Sequence, residues 1–176
     1  MEVHGGRTDS AVLVPLYAGA DGALHAVFTR RRADLRRHAG EISFPGGRRD
    51  GGETLVETAL REAHEEVGLP PDTVDVVGAL APVGTFVTNY AIYPFVGLIE
   101  PGFAWVAQEA EVDEVLELRL DDLVAGHSVK RLVRRGLAFK TDVYEVGGGQ
   151  LVWGATARIL ADLLRRTENP RSDSRS

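Results

Sequence analysis

Cysteine is absent from this 176-residue chain, and methionine occurs once. The absence of cysteine excludes disulfide bonds, thiolate metal ligands and cysteine nucleophiles, and it gives no support to an exported protein. Long apolar runs are also lacking. The first ten residues are polar, and no later stretch approaches the roughly 18 apolar residues that a membrane span needs. We therefore expect a cytoplasmic protein with no membrane partner.

The chain has no excess of positive charge. Lys and Arg together number 20 against 26 Asp and Glu, which gives a formal net charge of −6. Because affinity for a nucleic-acid backbone comes from a basic surface, we expect no nucleic-acid partner. The composition is ordinary for a soluble globular protein of one domain. The sequence does not set the oligomeric state, and a homodimer is compatible with it.

Residue patterns predict one domain over residues 11–166, after an N-terminal segment, 1–10, and before a polar tail, 167–176, that we expect to be disordered. Predicted strands cover residues 11–17, 23–29, 41–44, 73–80, 86–99, 103–107, 115–120, 139–146 and 151–153. Predicted helices cover residues 54–67, 120–124 and 154–166. Pro94 is expected to break its strand or to place it at a sheet edge. This order indicates an α/β (α+β) fold, with a mixed β-sheet sandwiched between helices.

The helix predicted over residues 54–67 contains the densest regular set of ionisable groups. Gly68, followed by two prolines, is a typical helix stop. Glu62, Glu65 and Glu66, spaced i, i+3 and i+4, lie together beside the apolar stripe of the helix. The stripe that we expect to face the core consists of Val56, Ala59, Leu60, Ala63 and Val67.

Three carboxylates so close repel one another, so a cation should compensate them. Oxygen ligands without a soft partner suit Mg²⁺ or Mn²⁺. A bare acidic helix face is more often simply solvated, but two features here favour a functional site. Arg61 lies at helical spacing from Glu57 and Glu65 and can reach back to Glu53, and glycine pairs before the helix allow close backbone approach.

The spacing of these residues resembles a known family signature. The sequence has Gly47, then five residues, Glu53, then seven residues, and then Arg-Glu-Ala-His-Glu-Glu-Val-Gly-Leu over residues 61–69. This pattern is similar to the Nudix box, the motif of hydrolases that cleave a nucleoside diphosphate linked to another group. Ala63 departs from the pattern, because the family more often has a bulky aliphatic residue there. We expect that departure to affect helix packing rather than chemistry. The resemblance implies the Nudix α/β/α sandwich.

The resemblance also implies roles for the carboxylates. Glu62 and Glu66 are the first choice as metal ligands, with Glu65 as a third and the Gly46 carbonyl as a backbone ligand. Glu53 would be an outer member of the site, held by Arg61. A base must take a proton from the attacking water. Glu62, Glu65 and the acidic segment at residues 109–114, with Glu109 and Glu111, all stay open for that role, although the acidic segment is more simply interpreted as a surface loop.

A second resemblance concerns the substrate. Phe28-Thr29, Arg36, Gly40 and the Phe-Pro-Gly-Gly of residues 44–47 are similar to the extended motif of the coenzyme A diphosphatase branch of Nudix hydrolases. Arg32 stands where that branch has a serine. The resemblance implies metal-dependent hydrolysis of coenzyme A, or of an acyl or oxidised form, to 3′,5′-ADP and 4′-phosphopantetheine. Trp153, in a softer downstream match, is more simply interpreted as a packing residue.

Residues 30–40 form the one dense basic segment of the sequence. Its simple interpretation is a solvated loop, whereas its functional interpretation is an anion clamp, since Arg offers paired hydrogen bonds to phosphate. Arg36 and His38, with Arg30 nearby, are the candidate ligands of the 3′-phosphate or the diphosphate, and Gly46 and Gly47 complete the candidate substrate contacts. Two alternatives remain. One is a Nudix pyrophosphatase acting on ADP-ribose or a related nucleoside diphosphate derivative. The other is a nucleotide-sensing module without catalysis, which usually lacks some of the glutamates retained here.

Overall fold

The computed structural model describes residues 8–36, 39–85 and 89–168. Three helices lie within these ranges, α1 (Leu55–Val67), α2 (Leu120–Ala125) and α3 (Gly154–Glu168), with a 3₁₀ turn at Pro71–Thr73. The strands of the same ranges are β1 (Thr8–Ala18), β2 (Leu24–Arg31), β3 (Ile42–Ser43), β4 (Gly46–Arg48), β5 (Asp75–Ala79), β6 (Val83–Gly84), β7 (Tyr90–Leu98), β8 (Val112–Arg119), β9 (His127–Arg134), β10 (Leu137–Glu145) and β11 (Leu151–Val152).

The first eight strands form one mixed sheet. Its main order is β3-β2-β1-β7-β5, while β4 pairs with β1, β6 with β7 and β8 with β2. β1 and β7 run parallel, and the other described pairings of this sheet are antiparallel. The predicted hairpin turn joins β1 to β2, with Gly22 at φ 79°. Strands β9 to β11 form a separate antiparallel sheet in the order β11-β10-β9.

Strand β1 lies at the centre of the large sheet and faces two cores. Ala11 and Leu13 pack in the cluster that contains the buried face of α1. Val14 and Leu16 pack in the other cluster, which includes side chains of α2 and α3. This division follows from the two-residue alternation of side chains along a strand. The expected mixed sheet between helices is therefore confirmed.

The prediction for Pro94 was wrong, because β7 continues through it as an internal strand. Val12 of β1 lies opposite Pro94 on one side. On the other side β5 pairs with residues from Phe95 onward and β6 pairs with Ala91 and Ile92. Pro94 therefore falls at the junction between two short partner strands, where a missing N–H group interrupts no ladder.

The strand predicted at 103–107 was also wrong. This segment is irregular and lies against the end of α1, where the Val106 N–H donates to the Val67 carbonyl at 3.0 Å and the Gln108 N–H donates to the Glu66 carbonyl at 2.9 Å. The last carbonyls of a helix lack partners within the helix, so a passing chain can satisfy them. This contact positions the acidic segment that follows.

Several boundaries differ from the predicted ones. β1 begins at Thr8 rather than at residue 11, and α3 continues to Glu168. β9 was not predicted, because its side chains are mostly charged or exposed and show no buried face. It joins β10 through a tight turn at Arg135 and Gly136, both with positive φ. Among the described helices, none is long and apolar enough to cross a membrane.

Candidate active site

Helix α1 is fixed at both ends by its own sequence. Thr54 caps its first turn: the Glu57 N–H donates to Thr54 Oγ1 at 3.2 Å and the Thr54 N–H donates to Glu57 Oε2 at 2.7 Å. This reciprocal pair is a capping box. At the other end Gly68 adopts φ 75° and donates its N–H to the His64 carbonyl. The helix boundaries predicted from the sequence are confirmed.

The buried face of α1 lies directly on β1. Ala59, Ala63 and Val67 are fully buried and share a cluster with Ala11 and Leu13. Two alanines one turn apart let the helix approach the sheet closely. The unusual Ala63 of the motif is therefore a packing residue, as the sequence suggested, and the close approach brings the acidic face of α1 to β4.

Arg61 donates hydrogen bonds to three carboxylates and also forms an ion pair with Asp50 at 3.5 Å. Its Nε and Nη2 donate to Glu53 at 3.0 and 2.8 Å, and its Nη1 donates to Glu62 at 3.0 Å and to Glu65 at 3.2 Å. Nη2 also donates to the Arg48 carbonyl at 3.1 Å. The side chain thus joins the loop before α1 to two turns of the helix. These hydrogen bonds with carboxylates raise the pKa of Arg61.

Glu53 is held in place as an anion. Besides Arg61, it accepts hydrogen bonds from the Asp50 N–H at 2.9 Å and from Thr58 Oγ1 at 2.9 Å. The hydrogen bonds from Arg61, followed by that from Asp50, lower the pKa of Glu53 to about 2. Thr58 is fully buried on α1 and was not among the residues singled out from the sequence. The sequence signal that could have identified Thr58 is its position as a polar residue one helical turn after the cap at Thr54.

Glu62 and Glu66 both lie against β4. The Gly46 N–H donates to Glu66 Oε2 at 3.3 Å. At Gly47, an added Cβ would lie 2.5 Å from the Glu62 Cδ and 2.6 Å from its Oε1, so the Glu62 carboxylate occupies the space that a side chain would fill. Successive turns of one helix therefore direct two carboxylates at the same two-glycine segment. Glu65 differs: its side chain is 53% exposed, against 17% for Glu62, and it bonds to Arg61.

The acidic turn at residues 108–111 approaches the same place. The hydrogen bond between Gln108 and the Glu66 carbonyl anchors it at the end of α1. On its other side the Arg32 N–H donates to the Glu111 carbonyl at 3.0 Å, and Arg32 Nη1 donates to the Glu109 carbonyl at 2.8 Å. The turn therefore bridges α1 and the basic loop. Glu111 is near enough to raise the pKa values of Glu62 and Glu66.

The electrostatics of the carboxylate pair favour a cation beside it. Burial, followed by the charge of Glu62, raises the pKa of Glu66 to about 8. Burial also raises the pKa of Glu62, against the opposing effect of Arg61. Two partly buried carboxylates side by side are unfavourable as anions unless a positive charge joins them. In the described part of the chain, no three acidic or histidine side chains converge closely enough to form a complete metal site by themselves.

The donor chemistry nevertheless fits a divalent cation. Glu62 and Glu66 offer hard oxygen atoms, which Mg²⁺ and Mn²⁺ prefer. The Gly46 N–H points away from β1 toward Glu66. Because the N–H and C=O of one strand residue point to the same edge, the Gly46 carbonyl is directed to that side too. Mg²⁺ commonly takes one or two carboxylates and completes its shell with waters and substrate phosphate oxygens.

The predicted substrate-binding residues have different surroundings in the structure. Arg30 pairs with Asp113 and Glu114 and donates to Gln150 Oε1 at 3.3 Å, so its charge is already compensated. Arg36 is exposed, and it has no ion-pair partner among the described residues. His38 lies outside the described residues. The Phe28 and Phe44 rings of the extended motif stack at 4.4 Å in the core, which assigns them a packing role.

Comparison with known proteins agrees with this geometry. A model of the NUDIX domain family matches residues 7–136. The proteins named NudL and described as Nudix hydrolases in Citrobacter koseri and in a Salmonella paratyphi B strain are each 38% identical over 168 residues, covering 89% of this chain and 81% of theirs.

Solved structures share the fold. The Nudix hydrolase RenU of M. smegmatis superposes with a TM-score of 0.66 at 19% identity, covering 98% of this chain and 92% of that one. The NUDIX domain of Shewanella oneidensis NrtR, solved with ADP ribose, gives a TM-score of 0.56 at 21% identity, covering 69% of this chain and 79% of that one. With its box residues assembled around α1 and β4, this chain belongs to the Nudix hydrolase family and is a pyrophosphohydrolase.

Proposed function

We propose that this enzyme uses Mg²⁺ or Mn²⁺ to hydrolyse the diphosphate of coenzyme A or its derivatives, releasing 3′,5′-ADP and 4′-phosphopantetheine. The observation that carries the metal-dependent part is the placement of Glu62 and Glu66, on adjacent turns of α1, against the Gly46–Gly47 segment. Nudix hydrolases generally use divalent cations. Glu62, Glu66 and the Gly46 carbonyl would hold the cation here.

Each residue around the pair has a defined task in this proposal. A divalent cation at this place would neutralise the diphosphate and lower the pKa of the attacking water. Arg61 holds Glu62 in position through its 3.0 Å hydrogen bond and fixes the preceding loop through Glu53. The missing side chain of Gly47 leaves room for the Glu62 carboxylate. These contacts prearrange the ligands before the substrate binds, which reduces the entropy cost of reaching the reactive geometry.

The acceptor of the water proton is Glu65 or Glu111 in this proposal. Glu62 and Glu66 are committed to the cation, and Glu53 is bound to Arg61, Asp50 and Thr58. Glu65 is tied to Arg61, whereas Glu111 lies on the acidic turn that faces the pair. Comparing E65Q with E111Q in kcat at several pH values separates them: the base variant should lose the acid limb of the pH–rate profile, and the other should keep it.

Coenzyme A is the proposed substrate because of the extended motif and the position of the basic loop. Arg32 connects that loop to the acidic turn at residues 109–111. Arg36, without an ion-pair partner in the described ranges, is available to an anionic group there. The site itself, two carboxylates beside a glycine pair, is equally suited to other nucleoside diphosphate derivatives. ADP-ribose and NADH are therefore the necessary comparison substrates.

The test is a chromatographic assay of coenzyme A, NADH and ADP-ribose at equal enzyme concentration, with Mg²⁺ and with Mn²⁺. We expect kcat/KM for coenzyme A to exceed the others by about tenfold or more, with both named products released. Faster cleavage of ADP-ribose or NADH would instead support the alternative pyrophosphatase. If none of the three is cleaved although ADP-ribose or coenzyme A binds, the chain is a nucleotide-sensing module.

A further inference from the structure

A cavity of about 460 Å³ lies beside the basic loop, separate from the carboxylate pair. Gly40 and Glu41, just before β3, form one side of it. The small sheet and the residue before α3 form the other, with Leu132, Phe139, Leu151 and Trp153 among the lining residues. This volume is in the range of pockets that bind small organic molecules, roughly 300–1,000 Å³.

Arg134 gives the cavity an available positive charge. Its guanidinium lies over the Trp153 ring, 5.2 Å from the centroid. Within residues 8–36, 39–85 and 89–168 it forms no ion pair, whereas Arg30, Arg32 and Arg61 are all paired with carboxylates. A stacked guanidinium keeps its N–H groups free at the edges, in the planar arrangement that suits a phosphate. Arg134 is therefore suited to bind an anion.

Apart from Arg134 and the carboxylate residue Glu41, the cavity is lined mainly by apolar residues and glycines, and it is partly uncovered. Phe139 is 38% exposed. Leu132 lies opposite Phe139 in the β9–β10 ladder and also lines the cavity. Aromatic and aliphatic surfaces of this kind pack against flat rings. An aromatic wall beside an unpaired arginine matches a ligand that combines a ring with a phosphate.

A short stretch of chain connects the cavity to the carboxylate pair. The Gly40 N–H donates to the Arg31 carbonyl at 3.0 Å, and the Arg31 N–H donates to the Glu41 carbonyl at 2.9 Å. Six residues later the chain places Gly46 beside Glu66, so the two places are at most about 20 Å apart along the chain. This upper limit is compatible with one nucleotide-containing substrate that contacts both places.

We propose that this cavity binds the adenosine 3′-phosphate end of the substrate, with the 3′-phosphate at Arg134 and the adenine against Phe139. The inference rests on coenzyme A as the substrate of the proposed function. Phe139, Leu151 and Trp153 lie beyond the part of the chain matched by the family model, residues 7–136. The C-terminal part of the chain thus adds apolar contacts to the charge of Arg134, while α1 and β4 supply the site of cleavage.

Kinetics with two substrates test the assignment of Arg134. For R134Q, KM for coenzyme A should rise roughly 10- to 100-fold, because a hydrogen-bonded charge pair is lost. KM for dephospho-coenzyme A, which has the same diphosphate and no 3′-phosphate, should change less than about twofold. F139A should raise KM for both, since both carry adenine. R131Q is the matched control: Arg131 lies on β9, three residues away on the opposite face, and does not line the cavity.

Calorimetry with the half-product tests the cavity without catalysis. Metal-free wild-type protein should bind 3′,5′-ADP more tightly than 5′-AMP, and R134Q should lose that difference. If R134Q still cleaves coenzyme A but changes KM equally for coenzyme A and dephospho-coenzyme A, the subsite assignment is wrong and the proposed reaction still holds. Arg134-dependent binding of 3′,5′-ADP without coenzyme A cleavage would retain the subsite and refute the reaction. A KM increase in F139A confined to long-chain acyl-coenzyme A would place the acyl arm there and refute the assignment.

Discussion

Replacing Gly47 with alanine tests the placement of Glu62 directly. The new Cβ would lie 2.5 Å from the Glu62 Cδ and 2.6 Å from its Oε1. An ordinary carbon contact is about 3.5–4.0 Å, so the carboxylate must retreat by roughly 1 Å or more. The end of a flexible side chain can move that far, but Arg61 also holds it through a 3.0 Å hydrogen bond. The variant should therefore fold with a displaced Glu62.

The expected consequence is loss of turnover without loss of stability. A displacement of about 1 Å in a reacting arrangement can reduce the rate by roughly 10²-fold. Gly47 has no left-handed φ, so alanine should leave the stability unchanged or raise it by up to about 1 kcal/mol through the unfolded chain. The assay measures kcat for the substrate that wild type cleaves best, the Mg²⁺ concentration at half-maximal rate, and the midpoint of urea unfolding.

Two glycines nearby provide controls. G51A adds a Cβ with nothing within 4 Å and no left-handed φ, so activity and stability should match wild type. G46A is the opposite case, since its Cβ would contact the Ala11 carbonyl oxygen and the Val12 backbone, and it should destabilise the fold. If G47A retained wild-type kcat and metal dependence while folding normally, the position of Glu62 against β4 would have no part in catalysis, and the proposed ligand set would be wrong.

Four further predictions concern the residues of α1 and the loop before it. E66Q should lower kcat by roughly 10²-fold or more while leaving the fold intact, and near-normal turnover would exclude Glu66 as a ligand. In metal-free protein the folded pKa of Glu66, about 8, exceeds its ordinary 4.5, so the contribution of Glu66 to stability should be full below pH 4.5 and lost as the pH rises through 8. Urea midpoints at pH 6 and 9 should show this fall in wild type and not in E66Q. Identical pH dependence in both proteins would contradict the assignment. Glu53 has a folded pKa of about 2, below its ordinary 4.5, so its contribution to the stability of the fold should be present above pH 4.5 and lost toward pH 2. Between these two pH values the stability of E53Q, followed by circular dichroism, should therefore depend less on pH than that of wild type. T54A should cost about 1 kcal/mol in urea unfolding without changing kcat, and a large loss of activity would show that the cap also positions the ligands.

Local sequence rules account for the helix that carries the candidate site. The cap at Thr54, the stop at Gly68 and the apolar stripe follow from contacts within a few residues, so their prediction does not require tertiary structure. The same holds for the alternating core positions of β1 and for the hairpin at Asp21 and Gly22. The family resemblance rests on these local features as well, because the box is a continuous segment.

Contacts between distant segments could not be predicted from local sequence rules. Glu65 and Glu66 are neighbours in sequence, yet a 100° rotation places one on Arg61 and the other against Gly46. Arg30 looked free in a basic run, but β8 brings Asp113 and Glu114 to it across the sheet. Pro94 stays inside the sheet because two short strands meet beside it. Strand β9 lacks an apolar face, so only its pairing with β10 defines it.

The sequence by itself determined the family, the α/β fold and the acidic face of α1, since these depend on residue spacing along one element. Tertiary structure decided which carboxylates meet: the close packing of Ala59 and Ala63 on β1 directs Glu62 and Glu66 onto β4 and leaves Glu65 outside. It also assembled the Arg134 cavity from segments nearly a hundred residues apart. Charge and burial at a site depend on such long-range packing, and residue order alone does not specify it.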